Sequence, residues 1–445
     1  MDSRLHMFKN FQAIPTSYNK SKLYFQPGNI RVKQAAQKKI LIVTPHLAPE
    51  NHAAVFRMHK LIKYLPSRGW KVYVVAPDTN YEFRENPNLI KEIPESVEIY
   101  RTKYIEPSLR GLKKLLNPNY DVNPAKTPSP YHTNNHHQGN GKPRFVDKLR
   151  TMYAKILHKY LYVPDRYWLW KRTALRQSIR LIRQHQIPVV LTTSQPFSTI
   201  QIGMALKNRC GIKWVCDQRD PLTYSAKNFS SNPSAFLKQK YIEKQSLEQA
   251  DQITVLTSSH KLILADMYGS ENLEKVHFIT TGLDEEYLPA PSACNDKEQS
   301  RIIFSGEYLD QYGSEFFKIL THAKNSPEWH SCGVTIEFIG NTSINRQKIL
   351  SYAKQHQVDD IIEFSDQIPQ VELYKKLKSA KAAVLCVSRY YPWWCCFAKL
   401  VDYIALGIPV LALVPDPSES RKWLEKTKLG IFLDGDSATA GQSLI

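Results

Sequence analysis

The sequence has no long apolar run. Its longest, Tyr403 to Pro415, covers 13 residues and is broken by Gly407 and Pro409. A membrane-spanning helix needs roughly 20, so this stretch reads as a helix end turning into a buried strand. The N-terminal segment MDSRLHMFKNFQAIPTSYNK lacks an apolar h-region, which argues against a secretory signal. The seven cysteines (210, 216, 294, 332, 386, 395 and 396) are odd in number, and they contain neither Cys-x-x-Cys nor a zinc-ligand spacing. Disulfide scaffold, collagen and coiled coil are excluded. Reduced thiols in a cytosolic protein fit the pattern, and Cys395-Cys396 reads as packing. Acidic residues are the other shortage, at 41 against 60 Lys and Arg, a formal net charge of +19.

What is there is unevenly placed. Residues 1–250 hold 41 basic and 16 acidic side chains, or +25, whereas residues 251–445 hold 19 and 25, or −6. Residues 101–200 alone hold 18 and 4, or +14. An anionic partner therefore belongs to the first half: a phosphorylated ligand, a nucleic acid or a membrane surface. No nucleic-acid recognition motif is present, so no nucleic-acid partner is expected.

The length of 445 residues suits two or three domains. Residues 1–37 are basic and polar without a period and read as a flexible arm. Then buried-strand and helix signals alternate. Strand 39–44 precedes a helix with Val55, Met58, Leu61, Ile62 and Leu65 on one face, and strand 71–76 follows. Further strands fall at 187–192, 213–216, 252–256 and 275–279, with helices at 198–209, 233–250 and 258–268. A second run has strands at 301–306, 334–339, 361–364, 382–387 and 408–413. The proline-rich stretch 289–293 joins the two runs. Repeated β-α-β units give parallel sheets, so the reading is two doubly wound α/β domains, 38–289 and 290–445, facing a central cleft. Residues 117–143, rich in Pro, Asn, His and Gly, read as a disordered insertion, and its histidines 132, 136 and 137 as solvated rather than metal-binding.

Candidate site residues lie where strands end, because ligands of such sheets bind there. Loop 45–52 precedes a helix whose N–H groups can meet an anion, with Arg57 one turn in; a plain connector is the alternative. Thr192 to Pro196 either contacts a sugar or caps helix 198–209 through Ser198. Asp217, Arg219 and Asp220 form either an ion-pair network or a functional group at the cleft. Lys399, in the first turn of a helix starting near 396, can share a bound phosphate with the helix N-terminus. Asp402, one turn on, can accept hydrogen bonds from ribose hydroxyls; both are otherwise solvated charges. Trp393 and Trp394 either stack on a base or pack the loop. Helix 146–162 has an apolar stripe (Val146, Leu149, Met152, Ile156) and a basic remainder, suited to a membrane interface or to packing on the domain.

The stretches ILIVTPHLAPENHAAVFRMHKLIKYLPSRGWKVYVVAP (40–77), VPDRYWLWKRTAL (163–175), VVLTTSQPFST (189–199), WVCDQRDPLT (214–223), ADQITVLTSSH (250–260), KVHFITTGLDEEY (275–287) and KLVDYIALGIPVLAL (399–413) together carry a resemblance. The sequence resembles family 4 glycosyltransferases of the GT-B fold, closest to a bacterial subgroup with a divergent N-terminal domain. The resemblance implies transfer of a sugar from a nucleotide donor with retention, without a metal or other cofactor. It places the nucleotide in the C-terminal domain and the acceptor in the N-terminal one. Lys399 and Asp402 match the Lys and Glu of the subgroup's Lys-Leu-Phe-Glu-Tyr-Leu pattern, and Arg219 and Asp220 match its His-Asp stretch.

The sequence departs from the pattern at three places. Trp394 stands near the first Glu of Glu-x7-Glu, His52-Ala53 replaces Gly-Gly, and residues 305–312 lack the diphosphate-gripping Arg and Lys. Arg389 or Lys399 would compensate. Chain end Ile445 comes before the family's usual returning helix, so a truncated C-terminal domain is expected.

The expectation is thus a cytoplasmic enzyme, peripheral at the inner membrane face, that builds a bacterial surface polysaccharide. Arg219 and Asp220 would be catalytic, and Arg389, Lys399 and Asp402 would hold a UDP- or GDP-sugar. A glycan or lipid-linked acceptor and an anionic membrane surface complete the partners. The alternative is a catalytically silent glycosyltransferase-like scaffold at the membrane.

Overall fold

The computed structural model describes residues 37–81, 85–120, 122, 164–224, 233–289, 300–309, 312–340, 343–387 and 393–444. Residues Lys38–Ile445 form one unit that contains two parallel sheets. The arm at 1–36, most of the expected insertion, helix 146–162 and linker 290–293 lie outside the described residues.

The first sheet is built from β1 (Lys38–Val43), β2 (Trp70–Pro77), β3 (Glu98–Thr102), β4 (Val189–Ser194), β5 (Lys213–Gln218), β6 (Gln252–Val255) and β7 (Val276–Phe278). Its helices are α1 (Ala53–Tyr64), α2 (Asn88–Lys91), α3 (Leu109–Leu116), α4 (Trp170–His185), α5 (Phe197–Cys210), α6 (Pro233–Gln249) and α7 (Ser258–Tyr268). The second sheet is built from β8 (Arg301–Ser305), β9 (Thr335–Ile339), β10 (Ile362–Ser365), β11 (Ala382–Cys386), β12 (Val410–Leu413) and β13 (Gly430–Phe432). With it go α8 (Glu315–Lys324), α9 (Pro327–Cys332), α10 (Ser343–Gln355), α11 (Gln370–Ser379), α12 (Ala398–Leu406), α13 (Glu419–Thr427) and α14 (Ser437–Gln442). The strand orders are β3-β2-β1-β4-β5-β6-β7 and β10-β9-β8-β11-β12-β13, and every paired strand is parallel.

Each sheet is covered on both faces, so its central strands are apolar throughout rather than alternating. In β1, Leu41 and Val43 enter one core with Trp170 and Trp214, while Ile40 and Ile42 enter another with Met58 and Ile62. The second sheet is packed by aromatics: Phe338 lies 5.3 Å from Phe304 and 6.1 Å from Phe317, centroid to centroid. Among the described residues, six cysteines are free thiols, and no helix is long and apolar enough to cross a membrane.

The expected strands are present, most within a residue or two. The one expected at 187–192 is β4, at 189–194, and the helix of Lys399 starts at Ala398. Strand β3 with helices α2, α3 and α4, and strand β13 with helices α13 and α14, had no counterpart in the sequence reading. β3, Glu-Ile-Tyr-Arg-Thr, sits at a sheet edge and has no apolar run. Ser198 does not cap α5. The carboxylate of Asp165 does, accepting from the Ser198 N–H (2.7 Å) and hydroxyl (2.7 Å). Proline at the cap position offers no side-chain acceptor, so a residue distant in sequence supplies one.

Candidate functional site

In a doubly wound sheet the strand order reverses at one place, and flanking loops splay apart there to leave a crevice. In the first sheet this falls between β1 and β4, and in the second between β8 and β11. The candidate site residues therefore lie just past those strands.

On the first side, Arg57 is buried and points at Asp217. Its Nε and Nη2 donate to Oδ1 at 3.0 and 2.8 Å, and Nη1 donates to the Thr280 carbonyl at 2.9 Å. Thr254 and Thr193 hydroxyls donate to the same carboxylate at 2.6 and 2.9 Å. Burial alone would raise the Asp217 carboxyl, but Arg57 and the two hydroxyls outweigh it and hold it below its usual range. The acidic-basic segment is thus an ion-pair network at Asp217, and Arg57 meets a carboxylate of the protein. Arg219 braces the adjoining turn, donating from Nη2 to the Gln195 carbonyl at 2.9 Å. Asp220 is half-buried beside it and makes no hydrogen bond among the described residues.

Loop 45–52 collects His46, Glu50 and His52. Their ligand atoms lie within 4.8 Å of one another, a donor set that matches a divalent cation. As built, they satisfy one another. Glu50 Oε2 lies 2.9 Å from His46 Nδ1 and 3.4 Å from His52 Nε2, and His52 Nδ1 accepts the Ala54 N–H at 3.3 Å. That last bond closes the start of α1. Burial lowers His52 to about 4 and raises Glu50. The guanidinium groups of Arg101 and Arg219 add positive charge here, so a metal would have to displace these bonds and face both.

On the second side, β8 ends at Ser305-Gly306. Gly306 has φ +88°, and a Cβ there would have no atom within 4 Å. The need for glycine is therefore conformational. Lys399, in the first turn of α12, lays its ammonium 4.0 Å over the Phe304 ring and donates to the Ser305 carbonyl at 3.3 Å. No carboxylate contacts it among the described residues, and burial lowers its pKa to about 8. Asp402, a turn later, accepts the Tyr374 hydroxyl at 2.7 Å. Burial raises it, against that bond and the charge of Lys60 on α1. Trp394 is buried and meets Tyr224 of the first half edge-on, 4.9 Å between centroids. It packs the loop rather than standing open as a stacking platform. Arg389 lies outside the described residues.

The two sides are tied together. One face of α1 grips the segment that leaves β7: Lys60 donates to the Gly282 carbonyl, and Lys63 to Asp284 (3.1 Å) and Glu286 (3.0 Å). Sequence reasoning missed this grip, although Arg57, Lys60 and Lys63 recur at helical spacing. Glu419, in the first turn of α13, accepts from the Ser258 hydroxyl at 3.0 Å, the Ser259 N–H at 3.2 Å and the Ser259 hydroxyl. One carboxylate thus serves the positive ends of two helices, α7 and α13.

No family model matches the sequence, and no curated protein matches it. Solved structures do. Sucrose-phosphate synthase of Thermosynechococcus elongatus is similar at TM-score 0.55 and 14% identity, over 92% of this chain and 88% of that one. HepE of Anabaena, solved with UDP, is similar at TM-score 0.55 and 12% identity, over 91% and 88%. WaaG, a glycosyltransferase involved in lipopolysaccharide biosynthesis, is similar at TM-score 0.54 and 12% identity, over 91% and 89%. At such identities the likeness speaks for architecture. The fold of this chain is GT-B: two parallel-sheet α/β halves with their switch points brought together.

Proposed function

We propose that this protein is a glycosyltransferase that moves a sugar, with retention and without a metal, from a UDP- or GDP-sugar to a glycan or lipid-linked acceptor. The observation that carries the reading is Lys399. Its ammonium meets no carboxylate among the described residues, stands at the switch point of the second sheet and belongs to the first turn of α12. Helix N-termini and a cation together suit a diphosphate. As the bond between the anomeric carbon and the diphosphate breaks, negative charge gathers on the leaving phosphate. Lys399 and the α12 N–H groups would stabilise it there. Asp402 would accept ribose hydroxyls, and Arg389 would add to the phosphate grip. Arg219 would hold the 194–196 turn against the acceptor, with the half-buried Asp220 carboxylate next to it on that wall. HepE, solved with UDP on the same fold, supports the choice of donor. A cytoplasmic place and a role in bacterial surface polysaccharide belong to the same reading.

The test is a panel of UDP-, GDP-, ADP- and dTDP-sugars with the purified chain. At least one should be cleaved or transferred. Lys399→Ala should lower turnover by about 10²- to 10³-fold, the usual cost of losing one preorganised charge stabiliser. Unchanged turnover in that variant would remove Lys399 from the site. Absence of binding to any nucleoside diphosphate at millimolar concentration would favour the silent scaffold instead.

A further inference from the structure

Helix α4 reads Trp-Lys-Arg-Thr-Ala-Leu-Arg-Gln-Ser-Ile-Arg-Leu-Ile-Arg-Gln-His, without one Asp or Glu. Arg172, Arg176, Arg180 and Arg183 recur at helical spacing, so they form one stripe about 16 Å long. Trp170, Ala174, Ser178 and Leu181 are buried on the opposite face. All four arginines are exposed, and none makes a hydrogen bond or an ion pair among the described residues. Like charges four residues apart oppose helix formation, and an ordinary solvated face mixes signs. α13 does so, where Arg421 pairs with Glu425 at 3.0 Å. The α4 stripe therefore needs another reason.

Near the start of α4 lies α3, Leu-Arg-Gly-Leu-Lys-Lys-Leu-Leu. Leu109, Leu112, Leu115 and Leu116 are 47%, 50%, 49% and 77% exposed. The two helices are held as neighbours at their starts. The buried Glu106 carboxylate pairs with Arg110 of α3 at 3.2 Å and with Arg166, just ahead of α4, at 3.5 Å. Gly111 lies so close to the Glu106 backbone that a Cβ would come within 1.8 Å of its carbonyl oxygen. At the far end of α4, Arg183 joins Arg209 and Lys213 around an open depression with Ile182, Ile187 and Ile212 in its lining.

We propose that α3 and α4 form the surface by which this chain docks on an anionic lipid bilayer, arginines to headgroups and leucines to the acyl boundary. A nucleic acid or acidic glycan would use the arginines but leave four leucines in water, whereas interfacial helices combine both. The inference rests on the reading of a membrane-borne acceptor and supplies its partner surface.

Co-sedimentation of the full chain with phosphatidylcholine vesicles, with and without phosphatidylglycerol, tests it. The chain should pellet only with the anionic vesicles. One lost arginine near such a surface costs about fivefold in partitioning, so Arg176→Gln with Arg180→Gln should cost about 25-fold. Leu112→Gln with Leu116→Gln should remove the binding that survives high salt. UDP binding, read by calorimetry on the same samples, should stay intact in both variants. The proposal falls if the wild-type chain ignores phosphatidylglycerol, if both variants bind like wild type, or if heparin or duplex DNA captures the chain while vesicles do not. A wild-type chain that binds vesicles but no nucleotide would sink the transferase reading alone.

Discussion

Lys399 carries two opposing demands. Burial beside Phe304 disfavours its charge, while a diphosphate would require it. The folded pKa, about 8, lies below the ordinary 10.5. The unliganded native state therefore binds fewer protons than the unfolded chain between those values. Lys399 costs stability at neutral pH, and the cost fades as pH rises from about 8 towards 10.5. Binding has the opposite trend. Nucleoside diphosphate affinity should fall by about tenfold per pH unit above the free pKa, until the bound pKa is reached. Calorimetry in buffers of differing ionisation enthalpy should register proton uptake near pH 8. A Lys399→Met variant should bind weakly and with no such uptake. A flat profile in the wild-type chain would mean that Lys399 faces no phosphate.

The packing of α5 on β5 depends on a missing side chain. Gly203 lies over the fully buried Trp214, whose indole N–H donates to the Thr192 hydroxyl at 2.9 Å. A Cβ at 203 would come within 2.1 Å of that nitrogen. Alanine in a helix interior normally gains about 1 kcal/mol over glycine. Overpacking a rigid core costs about 1–3 kcal/mol, and the Trp214 ring has no room to yield without losing its bond. Gly203→Ala should thus lower stability, read as a reduced denaturation midpoint with an unchanged slope. A raised midpoint would show that α5 can lift off the sheet freely.

At the scale of the whole molecule, Glu419 and Lys422 of α13 both bond to the start of α7, across the boundary between the two halves. Glu419 is 1% exposed and binds the start of α7 across the boundary. Hydrogen bonds to a charged group contribute about 1.5–3 kcal/mol, and removal leaves the Ser258 and Ser259 donors without an acceptor. Glu419→Ala should cost about that much in calorimetric stability and widen the molecule in small-angle scattering. Glu425→Ala, at an exposed pair on the same helix, should change stability by less than about 0.5 kcal/mol. Equal effects of the two would show that Glu419 is no latch.

Most strands of both sheets were legible because a parallel strand covered on two faces must be apolar throughout, as in Ile40 to Val43. So was the place of Lys399 and Asp402 at a strand-to-helix turn, since local spacing decides a helix face. Strand β3 was not legible, because an edge strand needs no such run. Nor were the partners of charges. Arg57 meets Asp217 across 160 residues, and Glu419 meets Ser259 across 160. In sequence each is an unassigned ion. Composition by itself determined where the positive charge lies, in the first half. Only the tertiary structure decided which cations are spent on internal carboxylates and which remain outside, on α4. The reason is physical: a helix face follows from neighbours three and four residues away, but an ion pair follows from which strands the topology sets side by side.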